Sequence, residues 1–509
     1  MTRGSRGLLL AVSFVPATVW GQITNLESLS STGVQGTNWS QDVRMSGDGR
    51  WLAFSSAANN LVAGDLGGAD VFIRDRSLGM TTRISTTPTG AHAGGNHYRP
   101  DMTPDGRFVV WDSDSTSVLG IPTVGRQVVI RDRDSDGNGV FDDAGGMMTE
   151  LVSANVLGLA PLVGQSIQAS VSADGRFVAF VSEASDLVTA DLNGVSDVFL
   201  RDRANGTTVC VSRGLNGLPG TGGLSNAPSI SRDGRYVLFQ SNATNLVPGD
   251  TNGTTDVFRY AVETGAVDRV SVAWDGSQLA QSSVVSVDAT LGPCMSADGR
   301  HIVFQTIAPN MLAGDSNGAV DVFARDLVLG TNTRMSVRWD GGQIPGISQS
   351  GIISGTGRFV VFGSAVGGIV PGDNNSRSDV FVHDRDTDGN GVFDEPGTTS
   401  VRRVSLSSTG VEGTNASFGG RISDDGQRVA FVSASALVTN DTNGFPDVYF
   451  HTAPSERCPA DWDGSTGVDS DDVVLFFSDW NLGEADVDHS GSTDSDDIVI
   501  FFVHWDVGC

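Results

Sequence analysis

The sequence predicts a mainly β fold, a seven-bladed β-propeller closed by its N-terminal strand and followed by a small α-helical domain. Three observations predict it. A phrase of the form Ser-x-Asp-Gly-Arg recurs seven times, with its glycine at 49, 106, 175, 234, 299, 357 and 426 and spacings of 57 to 69 residues. An alternating apolar run follows each copy, as in Phe177-Val-Ala-Phe-Val181, which is the period-two pattern of a strand. The chain holds 65 Gly, and 52 Asp against 8 Glu, in 509 residues. Asp and Gly favour turns, whereas Glu favours helices.

Hydrophobic residues make up 39% of the chain, enough for a large core. The net charge is −28, and there is no lysine. Nucleic-acid binding, which needs a basic surface, is excluded. Schiff-base chemistry and a phosphate-loop lysine are excluded with it. Arg3 and Arg6 precede the apolar run Leu8 to Val19, and Val19-Trp20-Gly21 offers a cut before Gln22. Residues 1–21 therefore read as a secretory signal peptide. No later stretch is long enough to span a membrane. The mature chain is expected to be secreted, extracellular or at the cell surface, in an oxidising and calcium-rich place.

Each copy reads as four strands. A first strand ends at the Asp-Gly turn, a hairpin signal. A second follows the turn. A longer loop leads to a third, as in Asp197-Val-Phe-Leu-Arg201, and a Gly-containing turn to a fourth, as in Thr208-Val-Cys-Val-Ser212. Four antiparallel strands repeated seven times make a propeller, in which each sheet covers its neighbours. The seventh copy stops after its third strand, Asp447-Val-Tyr-Phe-His451. Ile23 to Gly36 matches Ser400 to Gly413, the fourth strand of blade 6 and its exit. The N-terminal segment should thus supply the missing strand of blade 7 and hide the free edges. The repeated phrase resembles the TolB-type, WD-repeat-like propellers, over about residues 23 to 453. That resemblance implies the fold and is nearly silent on function.

Most blades carry Asp-x-Asn-Gly-x-x-Asp before the third strand. Examples are Asp191, Asn193 and Asp197; Asp250, Asn252 and Asp256; Asp315, Asn317 and Asp321; and Asp441, Asn443 and Asp447. Blade 6 has Asp373, Asn375 and Asp379, and blade 1 is shorter, with Asp65 and Asp70. A turn in which Asp and Asn bond their own backbone suits these loops better than calcium, because three side chains leave the ion short of ligands. Blades 2 and 6 add longer acidic hairpins, Asp132 to Asp143 and Asp384 to Glu395. Their alternating carboxylates point to calcium. One register uses Asp134, Asp136, Asn138 and Asp142, and Asp386, Asp388, Asn390 and Asp394; the other begins at Asp132 and Asp384.

The period-two pattern ends near residue 453, and 454–457 reads as a linker. Residues 458–509 contain two loop–helix units, 25 residues apart. The first loop offers Asp461, Asp463, Ser465, Asp469 and Asp472, with a carbonyl from Gly467. The second offers Asp486, Asp488, Ser490, Asp494 and Asp497, with a carbonyl from Ser492. These are the ligand positions of an EF-type calcium loop. Gly491 holds the sixth position in the second loop, whereas Thr466 stands there in the first. The duplicated unit resembles a type I dockerin of the kind ending in Gly-Cys, here Gly508-Cys509. The resemblance implies two Ca2+ ions and docking onto a cohesin-like or cell-envelope protein, as in carbohydrate-degrading assemblies. Ser470-Asp471 and Ser495-Asp496, where dockerins read their partner, depart from the family in their acidic second member. Trp480 and Trp505 fit core packing or a partner contact. A Cys458–Cys509 disulfide would close the module and contribute roughly 4 kcal/mol in the chain-entropy model. Cys210 and Cys294 fall on different strands of blades 3 and 5 and are expected to be buried thiols.

No catalytic constellation emerges from the sequence. The seven histidines do not form a metal-spaced helical pair. His92 and His97 share a loop entering blade 2 that reads as solvated. Trp274 and Trp339 stand at matching blade exits, each before Asp-Gly, and fit loop packing or sugar stacking. The leading reading is an exported, calcium-stabilised propeller that binds or displays a polysaccharide or protein ligand. The alternative is a propeller glycoside hydrolase or lyase delivered by the dockerin-like module. It would need two carboxylates or a gathering of histidines at one mouth of the channel.

Overall fold

The computed structural model describes residues 22–143, 145–284 and 294–453. The leader expected over residues 1–21, the expected linker 454–457 and the loop–helix module read over 458–509, with its expected calcium ligands and Cys458–Cys509 pairing, lie outside the described residues. Residues 23–452 form one compact unit. They fold into seven four-stranded antiparallel sheets. First strands of neighbouring blades contact one another around the axis of the ring.

Blades 1 to 6 follow chain order within residues 40–83, 97–151, 166–210, 225–269, 283–334 and 348–403. Blade 7 takes three strands from Ser417–Ile422, Arg428–Ser433 and Asp447–Thr452, and its fourth from Ile23–Leu26. Thr24 pairs with His451 and Leu26 with Tyr449. Closure by the N-terminal strand is therefore as expected from the sequence.

The repeated phrase has a local reason at each residue. The Ser46 hydroxyl donates to Asp48 Oδ1 at 2.6 Å, and that oxygen also accepts the Arg50 N–H at 3.0 Å. Arg50 then pairs with Asp75, the last residue of the third strand, at 2.7 Å. Gly106 is needed twice over. Its φ is +76°, and a Cβ there would lie 2.6 Å from the Trp51 ring of the preceding blade. The same contact recurs between Gly175 and Phe108 and between Gly299 and Tyr236, so the turn glycines let neighbouring blades close up.

The core lies between the sheets. Second and third strands stack aromatic pairs, such as Phe54–Phe72, Phe180–Phe199 and Phe239–Phe258, at centroid separations of 5.6–5.9 Å. Cys210 and Cys294 are both buried, as expected; Cys210 ends the fourth strand of blade 3, and Cys294 lies beyond the named strand segment of blade 5.

Strand alternation puts the Asp-Gly turns and the acidic hairpins on one face. The Asp-x-Asn-Gly loops and the exits from the fourth strands share the other.

Candidate functional site

On the loop face, the third strand of blade 3 begins with Asp197. It accepts Ser212 Oγ at 2.7 Å and Asn193 Nδ2 at 2.6 Å. Asn193 Oδ1 in turn accepts the Val195 N–H at 3.1 Å. Blades 4, 5 and 7 repeat this Asx turn at Asn252, Asn317 and Asn443. The loops are thus the self-bonded turns expected. The sequence reading missed what neutralises them. Arg269 lies 3.5 and 3.6 Å from Asp250 and Asp256. Arg334 reaches Asp315 and Asp321 at 2.7 and 3.2 Å, and Arg403 reaches Asp373 and Asp379 at 3.2 and 3.4 Å. In blade 1, Arg83 lies 3.7 Å from Asp65. Four of the blades therefore place a cation in a buried carboxylate pair. The readable signal was Arg-x-Ser at the end of the fourth strand: Arg83-Ile-Ser85, Arg269-Val-Ser271, Arg334-Met-Ser336 and Arg403-Val-Ser405.

The strand register places Cys210 in blade 3, Leu151 in blade 2 and Leu26 in blade 7 where the others have that arginine. Blade 2 also replaces the third-strand aspartate with Gln127. Blades 3 and 7 keep both carboxylates. Burial pushes Asp197 and Asp447 up to about 6. Burial also raises the Cys210 thiol to about 12, with Asp197 adding to the shift, which keeps it in the protonated thiol form.

His92 and His97 are not solvated, which corrects the sequence expectation. His97 opens the first strand of blade 2 and is fully buried. Trp111 Nε1–H donates to its Nδ1 at 3.2 Å, so its Nε2 carries the proton toward Gly94 O at 3.1 Å. Burial lowers it to about 4. His92 Nε2 lies 3.1 Å from Asp70 Oδ2. Asp65, Asp70 and His92 converge closely enough to hold a metal ion. The equivalent residue in blade 7, Gln35, donates Nε2–H to Asp441 at 2.7 Å and Asp447 at 2.8 Å. His92 makes the same contact with a ring N–H, beside Arg83. The geometry is that of a structural hydrogen bond.

The hairpins of blades 2 and 6 split the first-register ligand sets. Asp142 pairs with Arg133 and Asp394 with Arg385, at 2.5 and 2.6 Å. Asp134 accepts the Gly139 N–H at 3.2 Å, and Asp386 accepts that of Gly391 at 3.0 Å. At the tips, Asn138 joins Asp136 to Asp143 at 3.0 Å each, and Asn390 joins Asp388 to Glu395 at 2.9 and 2.8 Å. The hairpin phenylalanines reach the preceding blade. Phe141 meets Trp51 at 5.6 Å and Phe393 meets His301 at 5.2 Å, with Arg133 and Arg385 beside them. Each hairpin is a clasp between two blades.

Around the axis, the first strands carry one repeated distortion. Among the described residues, the third residue of the strand has positive φ in six blades: Asp42, Arg99, Gln168, Ala227, Ser350 and Gly419, at 52° to 70°. A register shift accompanies each one, as in a β-bulge. Left-handed backbone is costly for the five non-glycine residues. Arg99 holds Asp112 at 2.8 and 2.9 Å, with Arg126 at 3.3 Å. Asp101 faces Arg44 at 3.3 Å, and Asp424 faces Arg232 at 2.5 Å. These carboxylates are held by arginines. His301, His383 and His451 lie on blades 5, 6 and 7 rather than at one mouth.

Beside this ring, a cleft of about 350 Å³ opens between blades 6 and 7, lined by Gln349, Ser350, Gly363, Ser378, Phe418 and Gly419 among others. On the same face Trp274 and Trp339 are 59% and 57% exposed, so they are not packed into their loops.

No protein-family model matches the chain, and no curated protein does. Solved propellers do. TolB from Acinetobacter baumannii shares 16% identity over 73% of this chain and 65% of its own, with a TM-score of 0.35. Oligogalacturonate lyase from Vibrio parahaemolyticus shares 10% over 86% and 92%, with a TM-score of 0.48. The β-propeller domain of the Trilobed protease from Pyrococcus furiosus shares 11% over 78% and 89%, at 0.43. The chain thus spans about two thirds of that TolB structure. Likeness at this level concerns the ring architecture and carries no argument about activity; the chain is a seven-bladed β-propeller.

Proposed function

We propose that this chain is an exported, calcium-stabilised propeller that binds or displays a ligand on its loop face and attaches to a partner through residues 458–509. One observation carries the binding reading. The same strained bulge recurs on the first strands of six blades with a different residue at each; Arg99, Gln168, Ser350 and Gly419 are partly exposed, whereas Asp42 and Ala227 are buried. A constant frame with varied side chains is how a ring builds a recognition surface. The fixed charge pairs around it, such as Arg99–Asp112 and Arg44–Asp101, suit positioning better than proton transfer.

Calcium enters this reading in two places. The first is the pair of C-terminal loops, Asp461 to Asp472 and Asp486 to Asp497, whose carboxylates serve as calcium ligands. The hairpin tips are the second, where Asp136 with Asp143 and Asp388 with Glu395 gather oxygen atoms. Here Asp142 and Asp394 act as arginine anchors.

The test uses the full chain and its Asp461→Ala/Asp486→Ala variant as baits on the producing cell's envelope and secreted proteins, with calcium and with a chelator. A protein captured by the parent in calcium alone, and by neither variant nor chelated chain, supports attachment through 458–509. Equal capture in all arms would assign binding to the propeller and reject the docking role. Turnover of a captured polysaccharide would favour the enzyme.

A further inference from the structure

We infer that the cleft between blades 6 and 7 is a binding site for a neutral, hydroxyl-bearing ring, the chemical class of an uncharged sugar. This rests on the reading of the chain as a binding propeller and names the ligand class and place.

The cleft exists because side chains present in other blades are missing here. The fifth residue of the second strand is Ser55, Asp112, Val181, Gln240, Gln305 and Val432 in six blades and Gly363 in blade 6. The bulge residue is Asp42, Arg99, Gln168, Ala227 or Ser350 in five blades and Gly419 in blade 7. Both deletions fall on the cleft wall. A Cβ on Gly363 would meet nothing nearer than 3.7 Å, and one on Gly419 nothing within 4 Å. Packing does not require glycine at either place, so the space is open by composition.

At about 350 Å³ the cleft lies at the small end of ligand sites. Among the described residues its lining has no ionisable side chain. A charged group entering it would lose water without gaining a counter-charge. Gln349 and Ser378 supply an amide and a hydroxyl that donate and accept. Phe418 stands on the innermost strand of blade 7 and is 38% exposed. A ring with an apolar C–H face and hydroxyls at its rim satisfies both kinds of surface: the face lies on the aromatic ring and the rim meets the amide and hydroxyl.

Isothermal titration calorimetry on the full chain tests this with three probes: a β-1,4-linked glucose tetrasaccharide, its N-acetylglucosamine counterpart, and tetragalacturonate as the charged control. At least one neutral probe should bind and the charged one should not. Gly363→Val should weaken that binding at least tenfold with the melting temperature unchanged, since Val181 and Val432 occupy the same place elsewhere. Gly419→Ser is the second filling variant, because Ser350 adopts the same backbone with φ +58°. Phe418→Ala should weaken binding by a similar factor. The proposal is overturned if neither neutral probe binds, if the charged probe binds better, or if both filled variants bind like the parent. Should the bait experiment show equal capture in all arms while these results fail, the binding propeller stands and the cleft's ligand class falls.

Discussion

Cys210 occupies the register position that four blades give to arginine, and it leaves Asp191 and Asp197 buried together without a cation. Restoring the cation should therefore help. Cys210→Arg should raise stability by about 1–2 kcal/mol at pH 7.5, where the Asp197 carboxyl at about 6 is ionised. At pH 5 that carboxyl holds a proton in the fold, and the gain should vanish. Urea titrations at the two pH values measure the difference. The sequence displayed the carboxylates plainly, but not their partners. Asp191 and Asp197 sit in a recognisable turn motif, whereas Arg269 or Arg334 meets its pair only once the fourth strand is registered against the third. His92 was misread for the same reason: in sequence it lies in a Gly-rich loop, and only the folding of blade 1's exit back onto its third strand brings it to Asp70.

The elements that finish the ring are the closing strand and the two clasps. His451 is buried on the third strand of blade 7, and burial lowers it to about 3. Thr24 donates its hydroxyl hydrogen to Leu406 O at 2.6 Å, so the contact with His451 Nδ1 at 3.1 Å has the ring nitrogen as donor. The imidazole is neutral in the fold and protonates in the unfolded chain below about pH 6.5. Folding then excludes a proton, and stability falls as pH drops from 6.5 toward 3. Between pH 7 and 4.5 this amounts to roughly 3 kcal/mol. His451→Gln should lose that much less than the parent over the same interval in urea titrations; equal losses would place the titration elsewhere. The clasps act through packing. Phe393→Ala removes the ring against His301 and Arg385 and should cost about 1–2 kcal/mol, with faster proteolysis within residues 384–398. The closing strand was legible because Ile23 to Gly36 repeats Ser400 to Gly413. The clasps were not, because Asp-rich spacing advertises metal ligands and hides that Asp142 and Asp394 anchor arginines.

At the scale of the whole molecule, seven repeats of one phrase determine a ring, and the ring distributes roles by face. The turn face carries the clasps, and the loop face carries the bulge ring, the cleft and the exposed tryptophans. Period and turn chemistry made the ring readable. The cleft was not readable, since a glycine at 363 looks like any other glycine until six equivalent strands are superposed in register. If the hairpin tips hold calcium, a chelator should lower the melting temperature of the full chain. Asp136→Asn/Asp388→Asn should then show a smaller shift, because an ion at 100 times its Kd contributes about 2.7 kcal/mol. The proposed binding role places the ligand on the loop face near the axis. The most direct measurement places a photo-crosslinking benzoylphenylalanine at Phe418, or at Val392 on the blade 6 clasp, in the full chain, and irradiates each with the producing cell's envelope and secreted fraction. Ligand engagement at the loop face gives an adduct from position 418 and none from 392; an adduct from 392 with none from 418 shows that the ligand sits on the turn face instead.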